Sequence, residues 1–256
     1  MDIHPTAIIH KDANLAGDAK VGPFSIINEG AEIGAGSEIG SHVLIDSQTI
    51  MGENCKIHHG AVLGTLPQDL KFEGEKTHLT VGDGTVIREY ATLNRGTKYR
   101  GKTVVGKNCF IMAYAHVAHD CLLGDHVILA NSVNLGGHVE IGDFAIVGGV
   151  VPVHQFVKIG AHSIIGGGFR VQKDVCPYAL VAGYPLKTLG LNQIGLQRRG
   201  FPEETMRTLE KTFRILFKSK LNTSQAIERI KREIELLPEV KIILDFIAKS
   251  ERGIIK

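Results

Sequence analysis

The chain has 256 residues, of which 29 are Lys or Arg and 27 are Asp or Glu, so its formal net charge at pH 7 is only +2. This balance gives no indication of binding to nucleic acid or to an anionic membrane, and a hydrophobic content of 43% is typical of a globular protein. No apolar stretch approaches the roughly 20 residues that span a bilayer, and the N-terminus lacks a signal-peptide pattern, so we expect a cytoplasmic protein without a membrane span.

An aliphatic residue recurs at every sixth position through two long parts of the chain. The first run is Ile3, Ile9, Leu15, Val21, Ile27, Ile33, Ile39, Ile45, Met51, Ile57 and Leu63, and the second is Val105, Ile111, Val117, Leu123, Leu129, Leu135, Ile141, Val147, Val153, Ile159, Ile165 and Val171. A second set, four residues further on, consists mostly of small residues. A period of six fits neither a helix nor a flat strand and is typical of a parallel β-helix. Glycine often follows the aliphatic residue, as at Gly34 and Gly106, where we expect a tight turn with positive φ.

Three six-residue units make one triangular coil of about 18 residues, so residues one coil apart stack at roughly the 4.8 Å spacing of neighbouring strands. The repeat fails near 64–80 and 94–104, where we expect loops that project from one face, often the binding face. The pattern therefore predicts an all-β parallel β-helix over residues 1–190, interrupted by two projecting loops.

A helical period replaces the six-residue period toward the C-terminus. Pro202 precedes one apolar stripe, Asn222 and Gln225 form a capping-box signature before a second, and Pro238 precedes a third. Residues 191–256 are therefore predicted to form a small C-terminal α-helical domain. One side of it is basic and carries Lys211, Arg214, Lys218 and Lys220. This side is either a solvated face or a surface that binds an acidic protein partner.

Several polar side chains interrupt the second half of the repeat. They are His116, His119, Asp120, His138, His154 and Gln155. In the frame of the repeat they fall on outward or corner positions. Stacking by one coil places His119, Gly137 and Gln155 in one column and puts Asp120 beside His138, so the polar groups are expected to converge on one patch.

The types of residue in this patch indicate acid–base chemistry. A histidine is the usual general base for a sugar hydroxyl, and a neighbouring carboxylate such as Asp120 can fix the tautomer of His119. The backbone N–H of Gly137, with no side chain to block it, could stabilise a developing oxyanion. A base with an oxyanion donor indicates acyl transfer. No Ser or Cys nucleophile has an obvious elbow motif, which favours direct attack over a covalent acyl-enzyme.

Zinc is the competing interpretation, because three histidines on adjacent coils could bind a metal ion. The spacing His116-x-x-His119 differs from that of the hexapeptide-repeat carbonic anhydrases, and a zinc enzyme would leave the helical domain and the 64–80 loop unexplained. The cysteines show no paired spacing for zinc or a disulfide framework and are interpreted as structural.

Several motifs together resemble one family of hexapeptide-repeat acyltransferases. They are the run 116–121 (HVAHDC), Leu129-Ala130-Asn131, Gly137-His138, His154-Gln155-Phe156, the segment from Asn192 to Phe201, the loop 67–72 (PQDLKF) and the segments 87–89 and 94–97. In combination they are similar to the acyl-[acyl carrier protein]–UDP-N-acetylglucosamine O-acyltransferases, which perform the first step of lipid A biosynthesis. The similarity extends from end to end, and it implies a left-handed β-helix, a handedness that periodicity alone does not reveal.

The resemblance implies a role for each matching residue. His119 would take the proton from the glucosamine 3-hydroxyl, Asp120 would orient His119, and the Gly137 amide would face the oxyanion. The other implied binding residues are His116, His138, His154 and Gln155 for the sugar and acyl groups, Gln68, Asp69 and Lys71 from an adjacent subunit's loop, and Asn192, Arg198 and Arg199 for the nucleotide or the phosphopantetheine arm. The family is a homotrimer with sites between subunits and needs no metal or separate cofactor; acyl carrier protein brings the donor.

Three rivals remain open at this point. The related N-acyltransferase of the same pathway carries an additional N-terminal uridine-binding domain, whereas here the repeat begins at Ile3. A zinc enzyme of carbonic anhydrase type would lose activity to a chelator. A non-catalytic nucleotide-sugar binder would tolerate the loss of His119. Regions around Phe169 and Tyr184 differ from familiar family members, so the acyl chain length is not predicted.

Overall fold

The computed structural model describes residues 2–256 and consists mainly of short parallel strands in three sheets. The first sheet contains Asp2–Ile3, Lys20–Val21, Glu38–Ile39, Lys56–Ile57, Val86–Ile87, Phe110–Ile111, Ile128–Leu129, Ile146–Val147, Ile164–Ile165, Ala179–Ala182 and Lys187–Leu191. The second contains Ile8–Ile9, Ile26–Ile27, Leu44–Ile45, Val62–Thr65, Thr92–Asn94, His116–Val117, Asn134–Leu135 and Pro152–Val153. The third contains Asn14–Leu15, Glu32–Ile33, Thr49–Met51, His78–Val81, Lys102–Val105, Leu122–Leu123, Glu140–Ile141 and Lys158–Ile159.

The chain visits the three sheets in turn, so each coil of the prism contributes one strand to each sheet. Residues one coil apart pair in parallel, as Phe110 does with Ile128. The two breaks in the repeat lengthen their coils: the chain leaves the prism after Thr65 and returns at His78, and it leaves again after Asn94 and returns at Lys102. The predicted left-handed parallel β-helix is confirmed.

The interior of the prism is filled by the two periodic sets of residues. Ile27, Ile45, Leu63 and Leu93, which follow one another in the second sheet, are completely buried. Burying an aliphatic side chain of this size contributes about 1.5–3 kcal/mol relative to leaving it exposed. Because the cross-section is narrow, small residues such as Ala61 fill the remaining positions.

The prism has three corners, and at each of them the chain turns from one sheet to the next. The first corner joins the first sheet to the second, the second corner joins the second sheet to the third, and the third corner joins the third sheet to the first. Left-handed φ values occur at corner residues such as His42, Tyr90 and Asp120; of the glycines that directly follow the aliphatic position, only Gly64, at the first break in the repeat, has a positive φ. The expectation of positive φ at Gly34 was therefore wrong. A Cβ atom there would lie 2.4 Å from the Gly52 carbonyl oxygen, so close approach of adjacent coils is what requires glycine.

Four helices follow the β-helix: α1 (Gln193–Arg198), α2 (Glu203–Lys218), α3 (Thr223–Glu233) and α4 (Pro238–Ala248). The capping box predicted at Asn222 is present, because its side chain accepts from the Gln225 N–H and Gln225 accepts from the Asn222 N–H. Helix α2 buries Leu209, Phe213 and Leu216 and packs on the strand Lys187–Leu191. No helix among residues 2–256 is long and apolar enough to cross a bilayer.

Candidate active site

The second corner of the prism brings together His119, Asp120 and His138. Asp120 and His138 occupy equivalent corner positions on adjacent coils, with φ values of 59° and 64°. The Nδ1 atom of His119 lies 2.8 Å from Oδ2 of Asp120, and the Nδ1 atom of His138 lies 3.8 Å from the same oxygen. The convergence of these side chains, predicted from the period of the repeat, is therefore present within one chain.

Asp120 occupies a corner position, as the repeat predicts, but its side chain is covered by other residues of the chain. It is 0% exposed because the loop between Asn94 and Lys102 folds over it. Thr97 donates from its backbone N–H to Oδ1 at 3.1 Å and from its hydroxyl to Oδ2 at 2.7 Å, and the Arg100 N–H donates to Oδ1 at 3.2 Å. Burial alone would raise the pKa of Asp120, but the hydrogen bonds from His119 and Thr97 outweigh it and hold this pKa below its ordinary value. Asp120 is therefore ionised at neutral pH.

His119 presents one ring nitrogen to Asp120 and keeps the other for a substrate. An ionised carboxylate can only accept a hydrogen bond, so the proton of the neutral ring lies on Nδ1 and the lone pair lies on Nε2. The side chain is 12% exposed, which leaves one edge of the ring accessible. This is the tautomer that a general base requires.

Gly137 lies directly against the free edge of the His119 ring. A Cβ atom at this position would be 2.6 Å from Cε1 and 2.7 Å from Nε2, so only glycine fits without displacing the ring. The backbone N–H of Gly137 donates to no other group of residues 2–256. It is therefore free to donate to an oxygen atom that sits beside the base.

His138 lies within a stack of aromatic rings beside the His119–Asp120 pair. Its ring stacks on Phe156 at 4.3 Å between centroids and contacts Tyr99 edge-on at 4.6 Å. Burial lowers the pKa of His138, and the negative charges of Asp120 and Asp69 partly oppose this effect. Asp69 belongs to the loop between Thr65 and His78, and the placement of this loop in an adjacent subunit's site stays a prediction.

His116 lies on the second sheet, next to the corner. Its Nδ1 atom is 2.7 Å from the Thr92 hydroxyl, and burial lowers its pKa, with a smaller contribution from the nearby His119. A neutral His116 can exchange hydrogen bonds with a substrate that lies along the second sheet.

The metal interpretation can be compared with this geometry. The ligand atoms of His119, Asp120 and His138 all lie within 4.8 Å of one another, so this is the one group among the described residues that could hold a metal ion. His116 does not belong to it. Because Nδ1 of His119 already donates to Asp120, the observed arrangement matches a base held by a carboxylate. That no metal is needed stays a prediction.

Comparison with known proteins identifies the family. Residues 174–255 match the family described as UDP N-acetylglucosamine O-acyltransferase, domain 2, and residues 102–137 match the bacterial transferase hexapeptide family of six repeats. A relative named acyl-[acyl-carrier-protein]–UDP-N-acetylglucosamine O-acyltransferase from Syntrophobacter fumaroxidans is 46% identical over 100% of both chains, and one of the same name from Chlorobaculum parvum is 53% identical over 98% of this chain and 96% of its own. The chain belongs to the acyl-[acyl-carrier-protein]–UDP-N-acetylglucosamine O-acyltransferase family.

Solved structures agree with membership of this O-acyltransferase family. The UDP-N-acetylglucosamine O-acyltransferase of Moraxella catarrhalis superimposes with a TM-score of 0.96, at 40% identity and over 100% of both chains. The UDP-N-acetylglucosamine acyltransferase of Bacteroides fragilis superimposes with a TM-score of 0.97, at 39% identity and over 99% of both chains. The resemblance inferred from the sequence motifs is confirmed.

Other residues predicted for the O-acyltransferase site lie apart from the histidine cluster. Asn192 is buried; its side chain caps α1 by accepting from the Gly195 N–H and donates to the His162 carbonyl at the third corner. Arg199 donates to the carbonyls of Phe144 and Gly195. Both residues thus belong to the third corner, and a single chain does not bring them to the second.

The remaining predicted residues present free polar groups. His154 directs Nδ1 to the Gln155 carbonyl at 3.0 Å and is half-buried. The exposed ones are Gln68, Lys71, Gln155 and Arg198. In an isolated monomer they are ordinary surface groups, so their proposed roles depend on contacts with the substrates and with neighbouring subunits.

The sequence did not single out the residues that hold Asp120 and His138. Thr97 and Arg100 lie in the irregular unit that interrupts the repeat, and Tyr99 and Phe156 flank His138. Thr97 and Phe156 fall within the motifs that resemble the family, but no role was assigned to them; the break was the other signal, because an interruption beside a polar cluster suggests that the inserted residues serve that cluster.

Proposed function

We propose that this chain transfers a 3-hydroxyacyl group from acyl carrier protein to the 3-hydroxyl of UDP-N-acetylglucosamine in the cytoplasm, the first step of lipid A biosynthesis. The observation that carries the mechanism is the arrangement of His119 between buried Asp120 and the backbone of Gly137. The full-length similarity to relatives named for this reaction supports the choice of substrates.

The reaction proceeds by direct attack. Nε2 of His119 accepts the proton of the sugar 3-hydroxyl while that oxygen bonds to the thioester carbonyl carbon. Negative charge develops on the carbonyl oxygen and is stabilised by the Gly137 N–H. The carbon–sulfur bond then breaks, and the leaving thiolate takes the proton from His119, so the base is regenerated. Asp120 stays ionised and stabilises the imidazolium between the two proton transfers.

The binding roles follow the placement of the polar side chains. His116 and His138 lie near the base and are proposed to hold the sugar, together with Gln68, Asp69 and Lys71 from the loop of an adjacent subunit. His154 and Gln155 lie one coil beyond His138 and are proposed to contact the acyl group. None of these roles requires a metal ion or a cofactor.

The acidic carrier protein is proposed to dock on α2. A groove of about 420 Å³ lies between α2 and the end of the first sheet. Its apolar lining includes Leu180, Leu189 and Phe213, and its basic lining is Arg207, Lys211, Arg214 and Lys218. An apolar floor with a cationic rim suits an acidic partner that also buries apolar surface.

A homotrimer would complete the site. Asn192, Arg198 and Arg199 are predicted to contact the nucleotide or the phosphopantetheine arm, yet Asn192 and Arg199 lie at the third corner, away from His119. Subunits that pack the third corner of one prism against the second corner of the next would bring these residues to the base. Sedimentation equilibrium tests this proposal, and a stable monomer with full activity would contradict it.

The first test compares wild type with H119A. We expect wild type to acylate UDP-N-acetylglucosamine from a panel of acyl carrier protein thioesters in the presence of chelator, and the donor panel also reports chain length. H119A should lose transfer by roughly 10²–10⁴-fold or more, the contribution of a general base, while its melting temperature stays close to that of wild type. Chelator-sensitive transfer would instead favour a zinc enzyme, and an active H119A would contradict the assignment of the base.

The second test addresses the groove on α2. Reversing two charges in R214E/K218E should raise the KM for the carrier-bound donor about tenfold at low ionic strength while kcat changes little, because steering charges act on association. The control is K220E, which changes a nearby charge outside the groove. Equal KM values for R214E/K218E and wild type would remove this groove from carrier recognition.

A further inference from the structure

We propose that Thr97 is a positioning residue for acyl transfer, which acts through Asp120 on the orientation of His119. The inference rests on the proposed function and deepens it, because it assigns a purpose to the second break in the repeat. Thr97 is 6% exposed, and its hydrogen bonds to Asp120 place it out of direct reach of substrate, behind the base.

The buried carboxylate of Asp120 needs hydrogen-bond donors in order to stay charged. An ionised carboxylate loses its hydration when it is buried, and it stays charged only if donors replace the water. Four donors do so here: the His119 ring, the Thr97 N–H, the Thr97 hydroxyl and the Arg100 N–H. Thr97 supplies two of the four.

Thr97 donates its hydroxyl proton to the same carboxylate oxygen that contacts His119. Its hydroxyl bonds to Oδ2 at 2.7 Å, and His119 bonds to the same oxygen at 2.8 Å. The Thr97 oxygen also accepts from the Tyr99 N–H at 3.2 Å, so its single proton is committed to Asp120. Because both carboxylate oxygens are held, the carboxylate plane cannot rotate, and the His119 ring that points at Oδ2 is fixed with it.

The loop that carries Thr97 is itself held by hydrogen bonds and an ion pair. The Gly101 N–H donates to the Thr97 carbonyl at 2.7 Å, which closes the loop on itself. The Lys98 N–H donates to Glu75 at 2.8 Å in the first loop, and the Arg100 guanidinium pairs with Glu140 on the third sheet. These contacts hold the loop in one conformation and so fix the position of Thr97 over Asp120. A regular six-residue unit has no residue that could lie over Asp120 in this way.

The experiment compares T97V, T97S and the control T85V. Valine keeps the shape of threonine but removes the donor, whereas serine keeps the hydroxyl. Thr85 is equally buried in the prism, and its hydroxyl bonds only to backbone groups at Gly106 and Cys109, so T85V measures the cost of the same change away from Asp120. The readouts are kcat, KM, melting temperature and the proton resonance of His119 Nδ1 in ¹⁵N-histidine-labelled protein.

We expect T97V to lower kcat by roughly 10- to 100-fold with KM within about threefold of wild type, by analogy with the loss of hydrogen-bond partners that orient metal-binding histidines. T97S should recover kcat to within about threefold. The Nδ1 resonance should move in T97V and stay in place in T97S and T85V. T85V should lose melting temperature without losing kcat.

Two outcomes would overturn the proposal: T97V with kcat and resonance like those of wild type, or T85V with a loss of kcat as large as that of T97V. If T97V does not fold, T97A removes the same donor without adding bulk and is judged by the same criteria. A wild-type protein that transfers no acyl group would contradict the proposed function instead, and the resonance would still report whether Thr97 controls the Asp120–His119 pair.

Discussion

The second and third corners of the prism both carry stacked aromatic and imidazole rings, but only the second carries a buried carboxylate that is hydrogen-bonded to a histidine. At the second corner, His138 stacks on Phe156, and Asp120 occupies the equivalent position one coil earlier. At the third corner, Phe144 stacks between His126 at 4.5 Å and His162 at 4.9 Å. The backbone conformations are the same, with φ values of 56–58° at the three third-corner residues.

The difference lies in what covers each corner. The loop 95–101 covers the second corner and brings hydrogen-bond donors to Asp120, which leaves His119 with a polarised ring. At the third corner, Arg199 lies over the Phe144 ring at 5.2 Å and Phe201 contacts His162 edge-on, so this corner is sealed by α1 and the residues after it. The repeat therefore sets where the corner side chains lie, and the segments that cover each corner determine which of these side chains can act in catalysis.

The variant D120N is expected to have the largest effect, because it removes the carboxylate that makes the second corner different from the third. An asparagine of the same size can donate to Nδ1 of His119, which would move the ring proton to Nε2 and remove the lone pair that accepts the substrate proton. We expect kcat to fall on the order of 10³-fold or more, as in other His–Asp pairs where the wrong tautomer results. Steady-state kinetics with a melting curve checks this.

The control for D120N is D125N, because Asp125 accepts from the backbone N–H of Lys107 far from the base and is exposed. D125N should retain its activity. A D120N enzyme with more than a tenth of the wild-type kcat would show that the carboxylate does not set the tautomer.

A smaller effect is expected from G137A. The new Cβ atom would meet the His119 ring at 2.6–2.7 Å, so the ring must move away from the position that Asp120 dictates. We expect a loss of roughly 10- to 100-fold in kcat, below the 10²–10³-fold range for losing an oxyanion donor outright, because the Gly137 N–H remains.

The matched control for G137A is G149A at the equivalent position of the first corner. There the nearest atom is the Asn131 carbonyl oxygen at 3.3 Å, and no catalytic ring lies nearby. If G149A reduced kcat as much as G137A, the effect would come from the coil and not from the His119 ring.

Much of this arrangement could be predicted from the sequence, because a strict period fixes what stacks on what. The six-residue repeat placed Gly137 under His119 and Asp120 beside His138, and both placements hold. The basic side of the helical domain was also recognised as a candidate partner surface, and three of its four named residues line the groove.

What the repeat could not predict lies where the period stops. The burial of Asp120 depends on Thr97 and Arg100, whose unit has no periodic frame from which their direction could be read. The turn geometry was also misassigned: the left-handed residue follows the aliphatic position by three residues, as at Gly36, and not by one, as at Gly34. Likewise, nothing in a sequence pattern reveals that Arg199 donates to the carbonyl of Phe144.

The smallest expected effect concerns His162, a ring of the third corner for which no catalytic role is proposed. Burial, assisted by the positive charge of Arg199 and opposed by Asp143, lowers the pKa of His162 from its ordinary value of 6.5 to about 4. The unfolded chain therefore binds a proton more readily than the folded chain between these values, so the free energy of unfolding decreases as the pH falls from 6.5 toward 4.

In H162F this group is absent, and a phenylalanine ring already fits the same corner geometry at Phe144. We expect H162F to match wild type in kcat at pH 7.5 and to exceed it in stability at pH 5 by a few kcal/mol at most, at about 1.4 kcal/mol per unit of pKa shift. Urea unfolding of both proteins at several pH values measures this difference, and parallel losses of stability would show that His162 stays accessible to protons in the folded state.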